Sequence, residues 1–260
     1  YAPEYSHSLK DPVMHIEVSP GKTSDWGGYI LTATRYKITE DIMGRIYADY
    51  RSKLGFAEGF GLNYKTADFG HGDYKFYYTH EKDKKRIEGE PDEFQRYLIR
   101  WRHKWEIDER TNLVSEYYKI EDSKRAVVGG DTSFLKDYFY REYEKDTQPP
   151  SYVILHRAQD YSSFDFTMQK RANRWYDPGY LEKLPEARYT MPSLKLGGSP
   201  LYFESVSILG SYNKKNTSTS TPDTNTSNPD THFNRLDAEN KISLPVKVAF
   251  INLAPFVGNR

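Results

Sequence analysis

Between Tyr97 and Ile107 apolar and polar side chains alternate without a break. Tyr97, Ile99, Trp101, His103, Trp105 and Ile107 share one side, and Leu98, Arg100, Arg102, Lys104 and Glu106 the other. A period of two is that of a β-strand with two unlike faces. The apolar side of a half-buried soluble strand is usually built from Val, Ile and Leu, whereas this one carries Trp and Tyr, whose rings have a polar edge suited to a membrane–water interface. The run from Ile42 to Arg51 repeats the pattern, setting Ile42, Gly44, Ile46, Ala48 and Tyr50 against Met43, Arg45, Tyr47, Asp49 and Arg51. From Phe56 to Lys65, Phe56, Phe60, Leu62 and Tyr64 oppose Ala57, Gly59, Gly61, Asn63 and Lys65. Glu58 falls on the apolar side, which implies a position near a strand end or a shift of register, because a charge facing mid-bilayer lipid costs about 2 kcal/mol or more.

Such runs recur along the chain, and the breaks between them are alternately short and long. The reading places strands at Val13 to Ser19, ended by the Pro20, Gly21 break, and then at Tyr29 to Ile38, Ile42 to Arg51, Phe56 to Thr66 and Tyr74 to Glu81. Phe94 to Ile107, Asn112 to Ile120, Tyr152 to Arg157, Ser163 to Lys170 and Ala187 to Leu196 follow, and Leu201 to Tyr212, Phe233 to Val246 and Ala249 to Val257 complete the set. About a dozen strands with tight turns on one side and longer loops on the other form the signature of an all-β, antiparallel transmembrane β-barrel of the outer-membrane type. The strand lengths suit a tilted crossing.

Composition narrows the field. Mean hydropathy is −0.84, and no apolar run reaches the roughly 18 residues of a transmembrane helix. A barrel tolerates such polarity, since only every second residue faces lipid. Tyr occurs 23 times against 13 Phe and 4 Trp, an excess that fits aromatic girdles at two interfaces. Formal charge is zero, so bulk electrostatics offers no argument for nucleic acid. Without cysteine there is no thiol catalysis, Cys-ligated zinc or disulfide framework in this stretch. The start at Tyr1, with neither initiator Met nor signal peptide, reads as a processed or excised segment.

Two breaks stand out. Residues 213–231 are almost wholly Asn, Ser, Thr, Asp, Lys and Pro and are expected to form a disordered polar loop. Its Asn216-Thr217-Ser218 and Asn225-Thr226-Ser227 match the glycosylation acceptor pattern, which carries little weight by itself. The break from Glu121 to Pro150 contains Asp131-Thr132-Ser133 followed by Phe134, Leu135, Tyr138 and Phe139, which suits either a short capped helix with an apolar side or a strand extension.

Several features in chain order resemble the LPS-assembly outer-membrane protein family LptD, the organic solvent tolerance proteins. They are the Arg96-Tyr97-Leu98-Ile99-Arg100-Trp101-Arg102-His103 strand, the segment from Asp131 through Phe134-Leu135-Lys136-Asp137-Tyr138-Phe139, and Leu184-Pro185-Glu186 ahead of a strand. Arg235 through Leu244-Pro245, and Leu253-Ala254-Pro255, complete the series. The resemblance implies that residues 1–260 are the amino-terminal, partial share of that family's large barrel, following a periplasmic jellyroll. It implies translocation of lipopolysaccharide into the outer leaflet of a Gram-negative outer membrane, without enzymatic activity or cofactor. The implied partners are lipopolysaccharide, membrane lipid, an LptE-like lipoprotein plug inside the barrel and an LptA-like periplasmic bridge reached through the jellyroll.

Family members release lipid sideways through a seam of few hydrogen bonds, often weakened by early prolines. This chain has no Pro between Pro20 and Pro91, so Pro20, Gly27 and Gly28 are the candidates for loosening that edge. On the polar faces Arg45, Arg51, Lys65, Lys75, Arg100, Arg102 and Lys104 are the candidates for lumen-facing contact with substrate phosphates or with a plug, Asp49 and Glu106 offsetting part of their charge.

The sequence offers no catalytic or metal-binding motif. His7, His15, His71, His80, His103, His156 and His232 are scattered without metal spacing, and neither a glycine-rich phosphate loop nor a nucleophile elbow occurs. His103, on the aromatic side of its strand, is expected at an interface rather than as a ligand. Two other readings stay open: another outer-membrane barrel, porin or integral enzyme, and a soluble glycan-binding β-sandwich.

Overall fold

The computed structural model describes residues 14–82, 93–124, 133–173, 181–214 and 230–260. Strands β1 (Met14–Thr23), β2 (Gly27–Lys37), β3 (Ile42–Arg51), β4 (Gly55–Thr66), β5 (Gly70–Lys82), β6 (Glu93–Asp108) and β7 (Thr111–Asp122) lead to two short helices, α1 (Phe134–Tyr138) and α2 (Tyr140–Lys145). Then come β8 (Ser151–Ala158), β9 (Ser163–Lys170), β10 (Leu181–Lys195), β11 (Tyr202–Lys214), β12 (Thr231–Ser243), β13 (Val246–Val248), β14 (Ile251–Leu253) and β15 (Phe256–Asn259). β1 to β12 lie side by side in chain order with β15 after β12, a 13-stranded antiparallel sheet, while β13 and β14 form a separate ribbon. The sheet is not closed, for β1 and β15 stand at opposite ends of the order.

The alternation read in the sequence survives as register. Pairing of β3 with β4 runs unbroken from Ile42 opposite Tyr64 to Arg51 opposite Gly55. Glu58 therefore shares a face with Phe56 and Phe60, close to the Gly55 end of β4, between Ala48 and Tyr78, which itself faces Tyr97. Two other expectations are corrected. β1 runs through Pro20 and Gly21 to Thr23, with Pro20 opposite Ile30. An edge strand has a neighbour on one side only, so a residue without an N–H can sit there. The stretch from Ala249 to Val257, expected as one strand, is divided among β14, β15 and their connections, Ala249 having a φ of 55° in the turn after β13.

By compactness the chain divides into two units, Tyr1–Lys104 with Glu116–Pro150, and Trp105–Ser115 with Ser151–Arg260. In the first unit, α1 lies on one face of the sheet, and Ala57, Tyr77, Leu98, Tyr118, Phe134 and Tyr138 form the buried apolar cluster between them. The other face is bare: Ile46 is 49 % exposed, Phe60 45 % and Phe56 52 %, while on the covered face Arg96 is 0 % exposed, Glu81 1 % and Asp122 2 %. The covered face thus buries charged groups beside the apolar cluster, while the other exposes large apolar side chains.

In the second unit β10 carries a register shift between Lys183 and Glu186, where Leu184 and Pro185 interrupt the ladder with β11. Leu209, opposite Ala187 and Leu236, is exposed, as is Leu236. Glu182 is buried and accepts hydrogen bonds from the Arg171 amide at 3.0 Å and from Asn213 Nδ2 at 2.9 Å.

Candidate functional site: a charged face under two helices

Register alone assembles the first row of charge. Across β2 to β6 of the first unit, Arg35 faces Arg45, Arg45 faces Gly61, Gly61 faces Lys75 and Lys75 faces Arg100. The next level along the strands holds Tyr47, Gly59, Tyr77 and Leu98, and the one beyond it Asp49, Ala57, Thr79 and Arg96. These are the polar positions of the period-two pattern, so the sequence dictates that they share a face.

Their charges are matched by acids. Arg100 reaches Asp73 at 2.8 Å and Glu142 of α2 at 2.7 Å, and Arg102, more exposed, pairs with the same Asp73 at 2.8 Å. Arg51 is buried, 3.5 Å from Asp49, donates to the Tyr77 hydroxyl at 3.0 Å and lies between the rings of Trp26 and Tyr138, at 4.5 and 4.8 Å. The Tyr77 hydroxyl in turn donates to Asp49. Lys75 stands 3.7 Å from the centre of the Phe139 ring, with Glu142 at 3.9 Å. Arg45 donates to the Tyr47 hydroxyl at 3.3 Å, and its Nε is buried without a hydrogen-bond partner.

Deeper under α1 lies a second cluster. Arg96 contacts Glu81 at 2.8 Å, Asp122 at 2.8 Å and Asp137 at 2.7 Å, and Lys124 also reaches Glu81. The other Asp122 oxygen accepts the amide of Phe134 at 2.9 Å. Ser133, the residue at the helix cap, makes no side-chain cap bond, so the first turn of α1 is held by a carboxylate from the sheet. Trp26, in the turn between β1 and β2, donates its indole N–H to the Asp137 carbonyl at 2.8 Å. Burial pushes the Asp137 carboxyl above its ordinary value, with Arg96 pulling against that shift, and burial likewise raises the Tyr138 phenol.

Of the candidates read from sequence, Arg45, Arg51, Lys75, Arg100 and Arg102 meet on the covered face of the first unit. Lys65 and Lys104 flank His71 at the other end of that face, both exposed and away from the helices. Gly27 and Gly28 start β2, opposite Thr23 and Lys22 of the edge strand β1: Gly27 adopts a φ of 72°, its would-be Cβ lies 2.2 Å from Ser52 Oγ, and the Gly28 carbonyl accepts the Ser52 amide. The helical alternative for the segment after β7 holds from Phe134 onward, whereas Asp131 and Thr132 lie outside the described residues, as do 215–229 with both Asn-Thr-Ser matches.

Residues not foreseen are Arg96, Glu81, Asp122, Asp137 and Glu142. Arg96 has the parity of Arg100 and could have been found from it. The acids could not, because their partners are far along the chain.

On the bare face, Tyr64, Phe69, Trp101 and His103 form an aromatic cluster. His103 Nδ1 is 2.8 Å from the Tyr64 hydroxyl, which accepts the Trp101 N–H at 3.0 Å. His103 thus has a hydrogen-bond partner among rings. Among the described residues no group of three or more His, Cys, Asp or Glu is placed to hold a metal ion, and no helix is long and apolar enough to cross a membrane.

No protein-family model and no curated protein matches the chain.

Proposed function

We propose that this chain is part of an outer-membrane β-barrel of the LptD kind, which carries lipopolysaccharide to the outer leaflet, its bare face turned to lipid and its covered face to the lumen. The observation that carries the reading is the apolar side chains exposed on one face of the first unit and the charged ones buried on the other. Ile46, Phe56 and Phe60 are exposed, while Arg96, Glu81, Asp122 and Arg51 are buried and paired. In water such a sheet would leave a broad apolar face wet, a feature of surfaces meant for another apolar phase. In lipid the same face needs no cover, and the charged lining of a lumen is where phosphates and acidic sugars would pass.

Tyr36, Tyr74 and Trp101 share one level of the bare face beyond the Ile46 level, a row of rings with polar edges that would suit an interfacial girdle. The open order of the sheet, with β1 and β15 unpaired to each other, supports a share of a larger cylinder. An LptE-like plug would lie against the covered face, an LptA-like bridge would deliver the glycolipid, and Pro20 in the edge strand β1 would help keep a seam weak.

The test is depletion in cells with the chain's full-length gene under control. The expected result is fractionation with the outer membrane, co-purification of a small lipoprotein, and loss of surface lipopolysaccharide on depletion. Recovery of the chain in the soluble fraction without detergent would sink the membrane reading; normal surface lipopolysaccharide would leave a barrel of another kind.

A further inference from the structure

The cationic row has a gap and an unusual guest. Gly61 carries no side chain, and the Tyr47 ring and the Arg45 stem lie 3.7 Å from where its Cβ would stand; neighbouring strands lie about 4.8 Å apart, which sets the Arg45 and Lys75 backbones about 10 Å from each other. Their charged heads converge on the Tyr47 ring, the Arg45 guanidinium 6.0 Å from its centre and the Lys75 ammonium 5.4 Å.

Cations at the ends of the row are well paired from the sheet itself, Arg35 with Glu17 at 2.7 Å and Arg100 with Asp73 at 2.8 Å. Those in the middle are not. Among the described residues Arg45 has the Tyr47 hydroxyl and no carboxylate within ion-pair distance, and Lys75 has a carboxylate only at 3.9 Å. That carboxylate, Glu142, belongs not to the sheet but to α2, and it also holds Arg100 at 2.7 Å.

We propose that Glu142 is an internal stand-in for an anionic ligand, and that a phosphate monoester displaces it from Lys75 and Arg100 and recruits Arg45. A phosphate brings nearly twice the charge of a carboxylate and three acceptor oxygens, enough to engage two guanidinium forks and an ammonium at once. α1 stays anchored through Arg96 and Asp122 while α2 is released, so ligand entry and opening of the helical cover are one event. The site rests on geometry alone. Only the assignment of the phosphate to a glycolipid headgroup rests on the translocation reading.

The experiment uses the full chain refolded in detergent micelles, with inorganic phosphate and glucosamine 1-phosphate as separate probes, titrated by calorimetry. Because the chain has no cysteine, Lys145→Cys carries a single spin label at the end of α2. Glu142→Gln should bind inorganic phosphate about tenfold more tightly than the parent, and by reciprocity phosphate should loosen the label at position 145. Arg45→Gln should lose that binding while keeping the β-sheet circular dichroism of the parent. Unchanged affinity in Glu142→Gln, an Arg45→Gln variant that binds as the parent does, or a label indifferent to saturating phosphate would each overturn the proposal. Tighter binding of the sugar phosphate supports the headgroup as the source. Equal affinity supports the site with free phosphate as its ligand, and removes this support for translocation without touching the membrane reading, which fractionation tests separately.

Discussion

Arg96 and Asp122 form a buried ion pair. Arg96 Nε lies 2.8 Å from one Asp122 oxygen and an outer guanidinium nitrogen donates to the other at 2.9 Å, with both side chains excluded from solvent. The same Asp122 holds the first amide of α1, so one pair joins β6, β7 and the helical cover. Three carboxylates converge on this guanidinium, two of them buried, and removing it would leave Asp122 without a counter-charge and Glu81 with Lys124 alone.

Arg96→Ala should therefore cost about 3–5 kcal/mol, the usual penalty for breaking a buried ion pair from one side. Arg96→Lys keeps the charge but loses the fork and should fall in between. Urea titration of the micelle-refolded chain, followed by tryptophan fluorescence, measures both. A loss under 1 kcal/mol in the alanine variant would mean that the cluster is wet.

Docking of α1 should depend on pH through Asp137. Burial raises its carboxyl above the ordinary aspartate value of 3.8, against the pull of Arg96. The docked state then binds the proton more tightly than the undocked state, so this contribution to docking is greatest in acid and declines as pH rises through the window above 3.8. Hydrogen exchange of the α1 amides across that window measures it. Asp137→Asn should flatten the profile, and an identical slope in that variant would contradict the assignment.

The bare face gives the opposite kind of test. Ile46 is 49 % exposed and makes part of the row that joins Thr34, Phe60, Phe76 and Ile99. If that row met water, Ile46→Arg would shift stability by only about 0.5 kcal/mol. Facing lipid near mid-bilayer, it should cost about 2–4 kcal/mol. Refolding into vesicles of dilauroyl phosphatidylcholine, compared between parent and variant, separates the two, and a neutral substitution would place this face in water.

How much of this could be read from the chain follows the range of each interaction. Ile42 to Arg51 and Ser163 to Lys170 coincide with β3 and β9 because period-two alternation is local and strong there. The end of β1 was misplaced because Pro20 and Gly21 read as a break, and only an edge position explains why they do not make one. Arg45, Lys75 and Arg100 could be assigned to one face by parity, but not to one row, since the row depends on register across β3 to β6. Glu142 and Asp137 were invisible as partners. They arrive from a segment whose helix is short, lacks its own cap bond, and is fixed by Asp122 from the sheet.

The last prediction turns on the difference between an edge and an interior strand. β6 has β5 on one side and β7 on the other, and Ile99 lies opposite Phe76 within an unbroken run of pairs from His71 with Lys104 to Lys82 with Glu93. Whichever neighbour the Ile99 amide serves, a proline there removes a ladder bond and forces its ring against a paired backbone. In β1 the same residue type is already present as Pro20 and is tolerated, because that strand is paired on one side only. Ile99→Pro should therefore abolish the assembled species, read as protease-resistant chain in the membrane fraction, whereas Pro20→Val should leave assembly intact. Normal assembly of the Ile99→Pro variant would show that β6 is not an interior strand of this sheet.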